Sequence, residues 1–127
     1  MSSTVINWLF ILFYVILNAS GALIIKHKVN QIGNVNLDSL LGFIKYFYNI
    51  FLSPVIIFGL FLIFLSAVSW IAALSRMEIS NAYPIATGLN FLIIVLTALI
   101  FMGESMNFIK FIGIILLMLS FYILTKY

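Results

Sequence analysis

Four stretches of the chain, each close to twenty residues long, are almost uninterrupted runs of apolar side chains. A helix needs about 20 mostly apolar residues to cross a bilayer. The predicted spans are residues 5–25, 54–74, 82–102 and 107–124. These runs occupy most of the 127 residues. We therefore predict an all-α membrane protein, a single domain with four transmembrane helices.

The amino-acid composition argues against a soluble fold. Hydrophobic residues make up 65% of the chain and charged residues 7%, whereas soluble domains are roughly 45–50% apolar and about 25% charged. A chain of this length has too little interior to bury the difference. Most of its surface is therefore predicted to face lipid.

Few residues could carry covalent or metal chemistry. The sequence has no Cys, and its only histidine, His27, stands between Lys26 and Lys28. This leaves no metal-ligand cluster and no pair of nucleophile and base. The formal charge of +3 is scattered and forms no basic stripe. We expect no cofactor, no metal, no enzymatic reaction and no nucleic-acid partner.

The stretch between the first two spans predicts an amphipathic interfacial helix in the headgroup plane. Residues 31–36 indicate a polar turn, Asp38 suits the N-cap or first turn of a helix, and apolar residues recur every three or four positions over about 38–49. The alternative is a longer, tilted second span that begins near Phe43. Asn49 and the Ser-Pro pair after it favour a separate helix because they interrupt the apolar run.

Positive charge is divided unevenly between the two ends of the predicted bundle. The basic residues are Lys26, Lys28, Lys45 and Lys110 at the end with the first and third loops, and Arg76 and Lys126 at the other. The positive-inside rule places the four-lysine end in the cytoplasm. Insertion in both orientations, or pairing with an inverted partner, stays open.

Asn18 lies near the middle of the first predicted span, on the same helical face as Tyr14 and Gly21. A polar side chain in hydrocarbon needs a partner. Two interpretations are open. The amide either fixes packing by hydrogen-bonding a neighbouring helix, or lines a polar cavity and contacts the hydrophilic part of a substrate.

The third predicted span carries a stripe of uncharged polar side chains. Its members are Tyr83, Thr87, Asn90 and Thr97. On a helix with 3.6 residues per turn the other three lie within about 40° of Tyr83. Such alignment favours a polar groove over isolated hydroxyls that bond their own backbone. Pro84 and Gly88 weaken the same helix and predict a bend, which we interpret as a hinge.

Small residues mark one face of the second span and one of the fourth. The face on the second span comprises Ser66, Ser69, Trp70 and Ala73. Close helix packing explains most of it, with a cavity wall as the alternative. In the fourth span Gly113 and Ser120 are seven residues apart and face one way. They predict either a dimer interface or packing within one subunit.

Charged residues stand at the ends of the spans. Lys26 either extends its ammonium to the headgroups or holds a phosphate. Glu104, after Gly103, suits the positive N-terminal end of the fourth helix. Arg76 and Glu78 are close enough in sequence to pair across a tight loop.

These motifs resemble the drug/metabolite transporter superfamily in its four-helix form. The resemblance rests on Asn18 followed by Gly21 and Lys26, the Ala82-Tyr83 start of the third span, the Gly103-Glu104 turn and the small-residue fourth helix. The small multidrug resistance exporters share this frame but carry a titratable Glu where Asn18 stands, and usually a Trp where Ala86 stands. Both departures argue against proton-coupled export of cations.

A second branch of the superfamily is more similar: the small paired subunits proposed to flip undecaprenyl-phosphate-linked aminoarabinose. The similar segments are Asn18-Ala-Ser-Gly-Ala-Leu-Ile-Ile-Lys26, Ala82-Tyr83-Pro84, Leu89-Asn90-Phe91 and Gly103-Glu104. This resemblance implies a multi-pass protein of the bacterial inner membrane that translocates a lipid-linked sugar. The implied assembly is a homodimer, or a heterodimer with a similar four-helix subunit.

We expect the glycosyl-phosphate head of such a substrate to enter a groove between the helices. The expected substrate-binding residues are Asn18, Lys26, Tyr83, Thr87 and Asn90, with Lys26 drawing the phosphate to the rim. One alternative is a small multidrug-type exporter of amphipathic cations or metabolites. Another is an accessory subunit of a membrane glycosyltransferase.

Overall fold

The computed structural model describes residues 2–127 and places five helices in them. They are α1 (Ser3–Ile32), α2 (Leu40–Leu52), α3 (Pro54–Leu74), α4 (Ile79–Phe101) and α5 (Phe108–Lys126). All regular structure in this part of the chain is helical. Four of the helices, all but α2, are long and apolar enough to cross a membrane. The predicted all-α fold is thus confirmed, and the chain is a multi-pass membrane protein.

Two of the spans differ little from their predicted bounds, and a third begins early. The prediction for α3 is correct at both ends, since Pro54 suits the first position of a helix. The α5 prediction is within two residues at each end. Helix α4 begins at Ile79, three residues before the predicted start. Pro84 therefore lies inside the helix, where it removes one backbone hydrogen bond.

Helix α1 extends well past the predicted end of the first span. It has 30 residues and ends at Ile32, a length of about 45 Å against a hydrocarbon thickness of about 30 Å. Residues 26–31 are mostly polar but compatible with a helix, and no Gly or Pro occurs between Lys26 and Gly33. There φ is 100°, a conformation that favours glycine. The predicted polar turn thus starts at Gly33.

Helix α2 is a separate helix, so the alternative of one long second span is wrong. Ser53 has extended backbone and divides α2 from α3. The predicted cap at Asp38 is also wrong, because Ser39 is the N-cap and its hydroxyl accepts from the Gly42 amide at 3.0 Å. Asp38 instead donates its backbone N–H to the Asn36 side chain at 2.9 Å.

Helices α1 and α3 pack antiparallel through glycines. A Cβ atom on Gly21 would lie 2.6 Å from the Gly59 carbonyl oxygen, and one on Gly59 would lie 2.7 Å from the Ile25 side chain. The Ser69 hydroxyl donates to the Phe10 carbonyl at 2.8 Å across the same interface. The small-residue face of the second span therefore serves packing against α1.

Helix α4 packs on α1 through a row of small residues, whose positions differ by four or by a multiple of four. Ala82, Ala86 and Ala98 are buried, and Asn90 occupies the same row. Rows of this spacing form the ridges by which helices interlock. On another face, Gly88 receives α5, since a Cβ there would lie 3.1 Å from the Phe121 ring.

Helix α2 packs beside the end of α1 that carries the lysines. Tyr46 donates its hydroxyl hydrogen to the Gly33 carbonyl at 2.8 Å, and Ile50 is buried. The opposite side of α2 exposes large apolar residues, Leu41 and Tyr48 among them. A position of α2 in the headgroup plane stays a prediction.

The outer surface of the bundle is apolar along the spans. Helix α5 is the extreme case, because it contributes no buried residue and touches the bundle along one side only. Exposed Phe64 and Ile71 continue the apolar surface on α3, and Leu96 does so on α4. Such a surface suits hydrocarbon rather than water.

Candidate functional site

Asn18 contacts α3 at mid-span. Its amide nitrogen donates to the Ser66 hydroxyl over a long 3.5 Å, and Ser66 in turn donates to the Ile63 carbonyl. Ser66 is buried, whereas Asn18 is half-buried. The packing interpretation of Asn18 is therefore supported by a hydrogen bond to α3, and the residue as a whole stays partly accessible.

Three aromatic rings from three helices meet one turn away from Asn18. The Tyr14 and Trp70 ring centroids are 5.0 Å apart, and those of Trp70 and Tyr83 are 6.1 Å apart. Both separations are typical of favourable aromatic pairs. Tyr83 is exposed, so the cluster presents a ring to the outside of the subunit.

Thr87 and Asn90 continue from Tyr83 along α4, and both are half-buried. The Asn90 side-chain oxygen is buried and has no hydrogen-bond partner among the described residues. The Asn18 amide does not donate to this oxygen, because it donates to Ser66 on α3 instead. We call Asn18, Tyr83, Thr87 and Asn90, together with Ser66 and Trp70, the polar face.

Lys26 stands apart from the polar face. It lines a cavity of about 450 Å³ between α1, α4 and α5. The charged residues of that cavity are Lys26, Glu104 and Lys110, and the rest of its lining is apolar. None of the other four predicted substrate-binding residues lines it. The single groove expected from the sequence is therefore divided into two regions.

Glu104 has a different position from the one predicted. The N-cap of α5 is Asn107, whose side chain accepts from the Lys110 amide at 2.7 Å. Gly103, with φ of 65°, turns the chain so that the Glu104 N–H donates to the Ala98 carbonyl at 3.3 Å. The prediction of a Glu104 cap is wrong, and the carboxylate lies at the cavity instead.

The predicted hinge residues face α5. Pro84 and Gly88 line a second cavity of about 250 Å³, together with Phe121 and Tyr122. Helix α4 continues through both residues. The missing side chain of Gly88 makes room for Phe121, so this glycine has a packing role that the sequence analysis did not assign.

The two small residues of α5 point away from the subunit. Nothing lies within 4 Å of the place where a Gly113 Cβ would be. Ser120 is exposed, and its hydroxyl donates to the Leu116 carbonyl of its own helix at 3.0 Å. Packing within one subunit is therefore the wrong interpretation of these residues. A dimer interface stays a prediction.

Some contacts at the site follow from topology and were missed in the sequence. The sequence suggests Glu78 as the partner of Arg76. In the structure Arg76 instead donates from Nε to the Asn7 side chain at 2.7 Å. Both partners stand at the ends of spans on the same side of the bundle. Lys110, which the sequence places in the fourth predicted span, likewise lines the same cavity as Lys26 because α4 and α5 are antiparallel.

Comparison with known proteins identifies no relative. No family model, no curated protein and no solved structure matches the chain. Within residues 2–127 no group of three or more His, Cys, Asp or Glu could hold a metal ion. The polar face and the cavity are the two candidate functional regions of the subunit.

Proposed function

We propose that this protein is a subunit of a four-helix transporter of the drug/metabolite type. In this proposal it forms a homodimer, or a heterodimer with a similar subunit, in the bacterial inner membrane. Its substrate is a polyprenyl-phosphate-linked sugar or a similar lipid-linked molecule. The observation that carries the proposal is the polar face, a group of polar and aromatic residues within the spans, most of which are at least partly exposed.

Polar groups that face hydrocarbon are costly, and they are common where a membrane protein lines a pathway. In a single subunit the Tyr83 ring is exposed, and Thr87 and Asn90 are half-buried. A second subunit would cover these residues and supply the other wall of a groove. Dimerisation thus follows from the same observation as transport.

The groups on the polar face suit a sugar. The buried Asn90 oxygen has no donor among the described residues, and a sugar hydroxyl can supply one once the half-buried side chain turns toward the groove. Tyr83 and Trp70 offer aromatic surfaces on which the apolar side of a sugar ring can pack. The polyprenyl tail stays in lipid between helices. No covalent step is needed, and the two subunits alternate access by rocking about the Pro84–Gly88 segment.

Translocation in proteoliposomes tests this proposal. We expect Asn90→Leu to slow the flipping of a glycosylated polyprenyl phosphate by about 10-fold or more, because it removes a polar contact worth about 1–3 kcal/mol. Asn49→Leu makes the same exchange on exposed α2 and is the matched control. Equal rates for both variants and the wild type would contradict the proposal and favour an accessory role.

Export of amphipathic cations is the second candidate, and the Tyr14–Trp70–Tyr83 cluster favours it. Aromatic faces attract cations, most strongly those of Trp. If the cluster binds a quaternary ammonium compound, Trp70→Phe should weaken binding several-fold and Trp8→Phe should leave it unchanged. If the lipid-linked sugar is the substrate, neither variant binds the cation measurably.

A further inference from the structure

The cavity between α1, α4 and α5 is chemically divided. Phe91 and Ile114 belong to its apolar wall, and its charged residues are Lys26, Glu104 and Lys110. Its volume of about 450 Å³ is within the range of small-molecule sites, roughly 300–1,000 Å³. The polar face contributes no residue to it, so it requires an explanation separate from the transport groove.

The charged residues lie near the ends of the apolar stretches of the spanning helices. Lys26 follows the predicted end of the first span, Glu104 lies in the α4–α5 loop, and Lys110 is in the first turn of α5. Lys110 also reaches the loop directly, because its ammonium donates to the Ser105 carbonyl at 3.4 Å. The apolar wall extends from there toward the middle of the bundle. This arrangement matches a membrane lipid, with its charge at the surface and its hydrocarbon below.

We infer that this cavity binds a phospholipid with one net negative charge, its phosphate between Lys26 and Lys110 and an acyl chain against the apolar wall. The charges support this assignment, because two lysines and one glutamate leave one positive charge at the site. A zwitterionic lipid would leave that charge unbalanced. The site goes beyond the proposed transport function and does not require it.

Lipid binding to the purified protein, counted by native mass spectrometry in detergent, tests the inference. We expect phosphatidylglycerol to bind in preference to phosphatidylcholine. In the double variant Lys26→Gln/Lys110→Gln, binding of phosphatidylglycerol should weaken about 30-fold, since each Lys near a lipid surface contributes about a factor of five. The matched control is Lys28→Gln/Lys126→Gln, which removes the same charge outside the cavity lining and should change binding less than about 2-fold.

Two further binding experiments test the role of Glu104 and distinguish a bound lipid from a free anion. Glu104→Gln removes the competing carboxylate and should strengthen phosphatidylglycerol binding about 5-fold. Soluble glycerophosphate in excess should not displace the lipid, because it lacks an acyl chain. Equal binding of the two lipids, an equal loss in the control, weaker binding in Glu104→Gln, or displacement by glycerophosphate would each overturn the inference. Because the readout is binding, such a failure leaves the Asn90→Leu translocation test unaffected.

Discussion

At the residue scale, the close packing of α1 on α3 depends on Gly21. An added Cβ would lie 2.6 Å from the Gly59 carbonyl, which is backbone and cannot turn aside. We expect Gly21→Ala to destabilise the subunit by about 1–3 kcal/mol, because α1 and α3 must separate. Unfolding in mixed micelles with increasing SDS measures this difference.

Gly113→Ala is the matched control for that variant. It makes the same change in a spanning helix, but nothing lies within 4 Å of the added carbon. The control should be as stable as the wild type or slightly more stable, since Ala favours a helix by about 1 kcal/mol over Gly. If the two variants lose equal stability, the packing of α1 on α3 is not as described.

Residue spacing predicts what shares a face but not what that face touches. Tyr83, Thr87 and Asn90 could be grouped from sequence, because helical geometry fixes their relative directions. The contact of Asn18 with Ser66 depends on how α1 crosses α3, and the separation of Lys26 from the polar face depends on how α1 crosses α4. No local pattern records those crossings.

At the element scale, α2 is fastened to the end of α1 by a side chain. The Tyr46 hydroxyl donates to the Gly33 carbonyl at 2.8 Å. We expect Tyr46→Phe to remove about 0.5–1.5 kcal/mol from the docking of α2. Hydrogen exchange should report this as roughly 2- to 10-fold faster exchange of the α2 amides.

Tyr48→Phe removes a hydroxyl from the exposed side of the same helix. Its exchange rates should match those of the wild type. Faster exchange in both variants would mean that the Tyr46 hydrogen bond does not hold α2 in place.

The ends of a helix were predictable from sequence where a residue such as proline fixes the start of the helix. Pro54 begins α3 as predicted, and Ser53 separates α2 from it. The end of α1 was not predictable from hydropathy, because residues 26–31 are mostly polar and nevertheless belong to the helix. Hydropathy indicates where a helix leaves the hydrocarbon, whereas the helix itself continues to Gly33.

At the scale of the whole molecule, α5 presents an unoccupied face around Gly113. If subunits pair through this face, as the spacing of Gly113 and Ser120 predicts, Gly113→Leu should weaken dimerisation by about 10-fold, since a large side chain keeps the helices apart. Sedimentation in detergent measures the monomer–dimer equilibrium. Ile109→Leu alters an exposed residue of the same helix without a change of volume and is the control. A wild-type protein that stays monomeric, or an unaffected variant, would rule out this interface.

The central claim is that the polar face lines a wet groove within the membrane. The natural absence of Cys allows single cysteines at Asn90 and at Phe64, which lie near the midpoints of α4 and α3. Phe64 is exposed on the apolar surface. Labelling by a hydrophilic maleimide in sealed vesicles is the most direct test. We expect Asn90→Cys to react at least about 10-fold faster than Phe64→Cys, because a thiolate forms only where water reaches it. Equal, slow labelling at both positions would show that the polar face is dry and would contradict the claim.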